Sequence, residues 1–446
     1  MNHRFLHRGW LTACLAFAAG SLSAQNMPII QTKFTADPAP MVYNDTVFLY
    51  TTHDEDTANG FEMYDWLLYT STDMVNWTDH GVVASTKDFT WRSRDNGAWA
   101  LHVVARNGKF YMYCPLHGHG IGVLEAPTPY GPFKDPIGKP LVWDKTNWYD
   151  IDPAVWIDDD GQAYMYWGNP YTYYARLNDD MVSLKDSVVR LPYHIENYQE
   201  GPWFYKRNGH YYLAYASTCC PEAIGYAMSD SPTGPWESKG YIMRPTNRSR
   251  GNHPGIIDYK GHSYVFGLNY DVMHLTTQEH HERRSVSVSE ITYNADGTIQ
   301  EIPYWLDQQP LKQLEPLNPY RRTEAETMNW GYGLKTEKKA DGRSLVVTNI
   351  DNGEYIKLRG VDFGRKGAKR FTASVAGKSG GTIVLRLDGE HGPVIGRLEM
   401  KGTGTSDTFM EMTCKVKNAK GVHDLYLCFE KYTDSDTMKF DYWQFQ

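Results

Sequence analysis

The sequence lacks any basic stretch. Its 45 Lys and Arg are outnumbered by 53 Asp and Glu, and the net charge of −8 is spread along the chain. With no electrostatic footprint for a phosphate backbone, nucleic acid is excluded as a partner. Beyond the first 24 residues no apolar run is long enough to span a bilayer. Cysteine is scarce, with six in 446 residues, and no Cys/His cluster has zinc spacing; His280-His281 reads as a solvated turn. Low-complexity segments are missing too, so nothing suggests disorder. At 446 residues the chain can bury a large core and should hold two domains, or one large and one small.

The N-terminus reads as an export signal. His3, Arg4, His7 and Arg8 precede an apolar run from Trp10 to Leu22 that ends in small residues, with cleavage expected after Ala24. The expected location is therefore secreted or periplasmic. Cys14 stands at the start of that run and not its end, which argues against a lipid anchor. The mature chain keeps Cys114, Cys219, Cys220, Cys414 and Cys428, an odd number that allows at most two bridges. Cys414 and Cys428, both in strand-like runs, are the expected pair. Adjacent Cys219 and Cys220 could join as a vicinal bridge, but two free thiols are the simpler expectation.

What the chain has in quantity is aromatic residues, with 32 Tyr and 14 Trp, together with Gly and Pro, a composition that suits an all-β protein rich in tight turns. A turn followed by an alternating aromatic strand recurs five times. The copies are Asn44-Asp45 before Thr46-Val47-Phe48-Leu49-Tyr50, Asn107-Gly108 before Lys109-Phe110-Tyr111-Met112-Tyr113, Asp160-Gly161 before Gln162-Ala163-Tyr164-Met165-Tyr166, Asn208-Gly209 before His210-Tyr211-Tyr212-Leu213-Ala214, and Lys260-Gly261 before His262-Ser263-Tyr264-Val265-Phe266. Asn-Gly and Asp-Gly between apolar strands signal hairpins, because both turn positions need positive φ. From Asp45 through Gly108, Gly161 and Gly209 to Gly261 the intervals are 63, 53, 48 and 52 residues. That is the period of four-stranded blades, and it predicts a five-bladed β-propeller ending near Pro303.

In a propeller the first strand of each blade lines the axis, so residues at one place before each hairpin should converge. Eight or nine residues ahead of the five markers stand Asp37, Trp99, Asp152, Glu200 and His253. If charged residues merely opened wet strand ends they would scatter. Instead the three acids sit in apolar, Pro-containing settings, where an ionised group is costly without a purpose: Ala36-Asp37-Pro38, Ile151-Asp152-Pro153-Ala154 and Glu200-Gly201-Pro202-Trp203. Glycoside hydrolysis needs one carboxylic acid to protonate the leaving oxygen and one carboxylate to activate water or attack the anomeric carbon. A third acid nearby can raise its partner's pKa. The ring alone does not assign the three parts.

These three motifs on this blade spacing resemble glycoside hydrolase family 43 over roughly Phe34 to Pro303. The resemblance implies Asp37 as general base, Glu200 as general acid and Asp152 as the residue that tunes and orients Glu200. It also implies inversion of the anomeric centre, and exo-acting α-L-arabinofuranosidase or β-xylosidase activity on arabinoxylan- or arabinan-derived substrate. Trp99 offers a platform to sugar, Arg250 a guanidinium fork for hydroxyl pairs or a place in a surface loop, and His53 with its acidic neighbours further hydroxyl partners or a solvated loop. His253 matches a family position beside a bound calcium or sodium ion. Two other readings stay open: a propeller that binds carbohydrate without catalysis, and a retaining fructan- or sucrose-type hydrolase.

After Pro316-Leu317-Asn318-Pro319 the character changes to shorter strands with more Gly and Lys. Residues 1–24 are expected as signal, 25–315 as propeller, 316–322 as linker and 323–446 as a β-sandwich of jelly-roll type. The last part resembles carbohydrate-binding module family 6 through Glu324-Ala325-Glu326, Asp351-Asn352-Gly353-Glu354, Gly421-Val422-His423-Asp424 and Phe440-Asp441-Tyr442-Trp443. By that resemblance Glu324, Glu326 and Asp441 form a calcium site. The family's aromatic clamp is replaced by Asn349 and Ser406, and its cleft Asn by Lys439, so stacking energy in that cleft is lost. A monomer that uses no organic cofactor, with calcium at the axis and in the C-terminal domain and a polysaccharide or oligosaccharide as its partner, is the overall expectation.

Overall fold

The computed structural model describes residues 26–446 apart from 93–94, 249–251, 277–282, 343 and 431–437. The expected export signal, Arg250 and His280-His281 lie outside the described residues.

Each of the five turns joins two antiparallel strands. At Asn107 and Gly108 φ is 53° and 74°, and the pairs at 44–45, 208–209 and 260–261 are likewise left-handed at both positions, as this hairpin type requires. At the fifth turn only Gly161 has positive φ, and its N–H closes a longer loop onto the Asp158 carbonyl at 2.8 Å.

Five antiparallel sheets follow in chain order. The first holds Phe34–Tyr43, Thr46–Asp54, Asp65–Ser71 and Trp77–Ser85. The second holds His102–Arg106, Lys109–Pro115 and Ile121–Ala126, extended by isolated pairings of Ile121 with Val142 and of Glu125 with Lys134. The third runs Ala154–Ile157, Ala163–Trp167, Tyr173–Leu177 and Val189–Arg190, and the fourth Tyr198–Arg207, His210–Ser217, Ile224–Ser229 and Glu237–Met243. The fifth has Gly255–Tyr259, His262–Asn269 and Ser285–Ile291. Its last strand is met by the start of the described chain: the Ile29 and Thr35 N–H groups donate to the Val286 and Arg284 carbonyls, both at 2.9 Å, and Asn26 Nδ2 donates to the Val288 carbonyl at 2.7 Å.

The opening strands of the sheets lie against one another. Val155 N–H donates to His102 Nδ1, linking the second and third sheets, and Trp203 Nε1 donates to the Ile256 carbonyl at 2.9 Å, linking the fourth and fifth. Fifth and first meet at Gly255, where an added Cβ would lie 2.4 Å from Pro40 Cδ and 2.6 Å from the Pro38 carbonyl oxygen, so only glycine fits. Apolar side chains such as Trp66, Met112, Tyr212, Val265 and Trp305 fill the space between the sheets. Each large side chain so buried stabilises the fold by about 2–3 kcal/mol.

The C-terminal part packs two sheets around one core. One contains Lys335–Lys338, Leu345–Thr348, Lys439–Phe445, Ala368–Ala376 and Met410–Ala419; the other contains Trp330–Tyr332, Tyr355–Asp362, Val422–Glu430, Gly381–Leu387 and Val394–Met400. Val347, Phe371 and Trp443 from the first interdigitate with Ile356, Ile383 and Leu427 from the second. The module is bolted to the first sheet. Thr327–Met328 pairs with Trp77 and Thr78 as an added strand, Asp79 accepts from Lys33 and from Thr336 at 2.8 and 2.7 Å, and Asn76 exchanges bonds with the Arg359 backbone.

The cysteine expectations are corrected. Cys414 and Cys428 are not joined: Cys414 pairs opposite Phe371 in one sheet, whereas the Cys428 thiol, in the other, points at the Glu390 carbonyl. Cys219 and Cys220, expected as free thiols, form a vicinal disulfide in the loop between His210–Ser217 and Ile224–Ser229. Among the described residues no helix is long and apolar enough to cross a membrane.

Candidate active site

The three acids reach one point because the strands that carry them are bent there. Asp37 and Asp152 have φ of 49° and 56°, and Gly201, next to Glu200, has 59°. Pairing slips between Ala36 and Ala39 and again on both sides of Glu200. Such bulges turn a side chain out of the sheet and into the pocket, and Asp tolerates the left-handed conformation better than most residues. Around the resulting pocket stand Asp37-Pro38, Ala100-Leu101, Asp152-Pro153, Gly201-Pro202-Trp203 and His253-Pro254, one segment from each sheet. Gly201 is required by close approach, since a Cβ there would lie 2.9 Å from His253 Nδ1.

His253 sits between the acids, with Nδ1 3.7 Å from Asp37 Oδ1 and Nε2 3.3 Å from Glu200 Oε1. Burial opposes its charge, but Asp37, Asp152 and Glu200 outweigh that cost and lift its pKa to about 10. Ligand atoms of Asp152, Glu200 and His253 lie within 4.8 Å of one another. Asp152 is pushed up to about 8, first by burial, against the pull of His253 and with the charges of Glu200 and Asp37 adding to it; the Gly201 N–H donates to it at 3.1 Å. At that value the Asp152 carboxyl keeps its proton through neutral pH. Glu200 is the most exposed of the three, accepts from Asn169 Nδ2, and so can meet a substrate.

Asp37 is held differently. Thr52 Oγ1 donates to its Oδ2 at 2.9 Å and Arg284 Nη1 to its Oδ1 at 3.1 Å. Arg284 also grips both oxygens of Asp54, each at 2.9 Å, in surroundings where Asp54 is fully buried. Burial works against the arginine's charge, but Asp37 and Asp54 outweigh it and Arg284 keeps its proton. A fixed cation on one side and a retained proton on the other make the two ends of the pocket chemically unlike.

Several sequence expectations land elsewhere. The Trp99 ring stacks on His117 at 3.9 Å, while Ala100 and Leu101 line the pocket with the acids. His53 is tied to Asp65 at 2.9 Å and lies 3.7 Å from Glu55, which lift its pKa against burial, and none of its described contacts is with the ring acids. Asp54 serves Arg284 and not a sugar hydroxyl. Three contributors had no motif: Arg284, Asn169 and Glu222. Glu222 is buried, accepts from the Asn252 N–H at 2.8 Å, and is raised to about 8 by burial and then by Glu200. Its setting, Pro221-Glu222-Ala223-Ile224, is an acid among apolar residues, the same signal that marks the other three.

In the C-terminal part Glu326 and Asp441 are buried, and Glu326 Oε2 and Asp441 Oδ1 have no hydrogen-bond partner. Burial, with the charges of Glu324, Asp79 and Asp441, pushes Glu326 up to about 9. Two orphaned carboxylate oxygens are the hard donors that calcium prefers. Glu324 fits less well, since both its oxygens take Arg322, and Lys339 already lies 3.1 Å from Asp441 Oδ2. Asn349, Ser406 and Lys439 carry no aromatic face; Lys439 pairs with Glu337 and Asp407.

Residues 26–299 match the glycosyl hydrolases family 43, and residues 324–446 the carbohydrate binding module (family 6). An arabinoxylan arabinofuranohydrolase of Paenibacillus polymyxa is 35% identical over 94% of this chain and 74% of its own length. One of Bacillus subtilis is 33% identical over 98% of this chain and 97% of its own. The crystal structure of a family 43 arabinoxylan arabinofuranohydrolase from Bacillus subtilis, in complex with cellotetraose, superposes with a TM-score of 0.82 at 31% identity, covering 95% of this chain and 97% of that one. The chain belongs to glycoside hydrolase family 43 and is a glycoside hydrolase.

Proposed function

We propose that this family 43 enzyme is an exo-acting, inverting α-L-arabinofuranosidase that removes arabinose from arabinoxylan-type polysaccharide. The observation that carries the reading is the unlike pair of ends in one pocket: Asp37 fixed by Arg284 and Thr52, and Glu200 beside the proton held with Asp152. Both relatives reported above are named for arabinoxylan and align with 94% and 98% of this chain, whereas a xylosidase/arabinosidase of Bacteroides ovatus aligns with only 60% of it. That contrast favours the arabinofuranosidase reading over β-xylosidase.

In this reading Glu200 gives its proton to the glycosidic oxygen as the bond to the anomeric carbon breaks. Asp37 takes a proton from a water that attacks the opposite face. Asp152 tunes and orients Glu200, and His253 bridges the two sides and balances their charge. The five sheets close as a five-bladed propeller, supported by the contacts between their opening strands and by residues 26–35 lying along Ser285–Ile291. A calcium ion held by Glu326 and Asp441 would satisfy their orphaned oxygens and stabilise the module. Export through residues 1–24 belongs to the same reading, since a polymeric substrate is met outside the cell.

Hydrolysis of nitrophenyl arabinofuranoside and nitrophenyl xyloside tests it. Glu200→Gln and Asp37→Asn should each lower kcat by roughly 10²–10⁴-fold, and NMR of the first-formed sugar should show inversion. An inactive wild type, or variants as active as wild type, would sink the proposal.

A further inference from the structure

The excess of acid over the whole chain conceals a division. Residues 1–322 hold 26 Lys and Arg against 36 Asp and Glu, whereas residues 323–446 hold 19 against 17, so the C-terminal module is the cationic part of an anionic protein. That corrects the expectation of charge spread along the sequence, and folding sharpens the division by gathering seven of those cations at one end of the module. Three come from two turns that touch. Arg365 and Lys366 lie in the turn after Tyr355–Asp362, and Lys420 lies in the turn before Val422–Glu430. The Gly421 N–H donates to the Gly364 carbonyl at 3.0 Å, and a Cβ on Gly367 would lie 2.5 Å from Lys420 Cγ. The other four stand on the adjoining strands, Lys369 and Arg370 on Ala368–Ala376 and Lys415 and Lys417 on Met410–Ala419.

All seven are exposed. Arg370 lies directly opposite Lys415 in the register, and Lys417 shares the face of Lys415 two residues on. Like charges directly opposite each other destabilise a ladder, so this arrangement works against the fold. None of the seven makes an ion pair among the described residues, while acids elsewhere in the module are engaged, Asp388 with His423 at 2.8 Å, Asp407 with Lys439 at 2.8 Å and Glu430 with Arg397 at 3.0 Å. Lysines on an edge strand deter pairing with other chains, but only Lys415 and Lys417 stand on the edge, and the other five need a different reason. The opposite edge of that sheet, Lys335–Lys338, meets the first sheet of the catalytic part through Thr336 and Asp79, which leaves the cationic edge on the far side. A lipid surface would call for apolar side chains that enter it. Next along the same face from Arg370 and Lys415 stand Thr372 and Thr413 instead, with hydroxyls 3.0 Å apart. Cations interleaved with hydroxyls suit a chain that carries both carboxylates and hydroxyls.

We propose that this end of the module binds an acidic polysaccharide through carboxylates carried on its sugars, and so holds the enzyme on polymer that bears them. The choice of a sugar polymer over other polyanions rests on the reading of the catalytic part as acting on polysaccharide. Attraction of this kind is electrostatic and weakens with salt. It needs no aromatic clamp, and the clamp is the feature that Asn349 and Ser406 replace.

Calorimetry of the full-length enzyme with polygalacturonate and with its full methyl ester tests it. Wild type should bind the polyacid and not the ester, and its affinity should fall about tenfold or more between roughly 20 and 200 mM salt. Lys415→Gln/Lys417→Gln and Arg365→Gln/Lys366→Gln/Lys420→Gln should each weaken binding about tenfold, while kcat/KM on nitrophenyl arabinofuranoside stays within about twofold of wild type. The two sets change different strands and turns, so a variant that fails to fold leaves the other to decide. Equal affinity for the ester, variants that bind like wild type, or no binding by wild type at the lower salt each overturn the proposal. Binding to phosphatidylglycerol vesicles or to a DNA duplex as tight as to the polyacid also overturns it, since the surface would then be an unselective field of cations. A wild type inactive on the aryl substrate would defeat the catalytic reading, while the affinities would still decide this one.

Discussion

Arg284 is the residue whose loss should be felt most widely. Its guanidinium donates to Asp37 Oδ1 and to both oxygens of Asp54, and all three side chains are less than 10% exposed. Replacing it with Met keeps much of the volume but leaves two buried carboxyls facing each other without a cation. Breaking a buried pair from one side costs about 3–5 kcal/mol. Against a total stability of about 5–15 kcal/mol that is a large fraction, and the melting temperature should fall by roughly 10 °C. Activity should fall too, by about a hundredfold, because Asp37 loses the contact that aims it. Calorimetry and urea melts on wild type, Arg284→Met, Asp54→Asn and the double variant form a cycle that isolates the pair. The double variant should recover part of the loss, since Asp54 then needs no counter-charge. If Arg284→Met melts within a degree or two of wild type, or the double variant is less stable than either single one by their full sum, the ion pair does not hold this end of the pocket.

Glu222 gives a pH signature. Its folded-state pKa of about 8 stands above that of a free glutamate, so the native protein keeps a proton that the unfolded chain releases. Its contribution therefore makes native stability fall as pH climbs from about 5 to about 8 and level off above. Glu222→Gln should flatten that part of the curve in urea melts, and parallel curves for variant and wild type would show that the group does not titrate there. In the C-terminal module, calcium returned to chelator-treated protein at a hundredfold over its dissociation constant should add about 2.7 kcal/mol of stability. Glu326→Gln should abolish the gain, and a wild type blind to calcium would remove the ion from the account.

The repeat and the acids were legible because both obey counting. Hairpin turns need particular residues, and residues a fixed distance ahead of them fall at one level, which brought Asp37, Asp152, Glu200 and His253 together. At the second sheet the pocket is lined by Ala100 and Leu101, the residues next after the counted Trp99, whose ring stacks on His117. Arg284, Asn169 and Glu222 were not legible from the register, because they enter from later strands and loops whose geometry no turn motif fixes. Arg284 opens a third strand instead of a first. The cysteines misled for a related reason: two strands each carrying a cysteine say nothing about which sheet each strand joins.

Asp37 and Arg284 are 247 residues apart in the chain, yet one cannot be aimed without the other. During synthesis the first acid emerges early and its anchor late, and the Ile29 and Thr35 N–H groups must wait for Val286 and Arg284 before they have these carbonyls to bond. Such long-range pairing is slow to form. A chain halted between Trp203 and the fifth sheet thus carries its three acidic motifs in full and still lacks Arg284, so catalytic competence reports completion of all five sheets and not of any one of them.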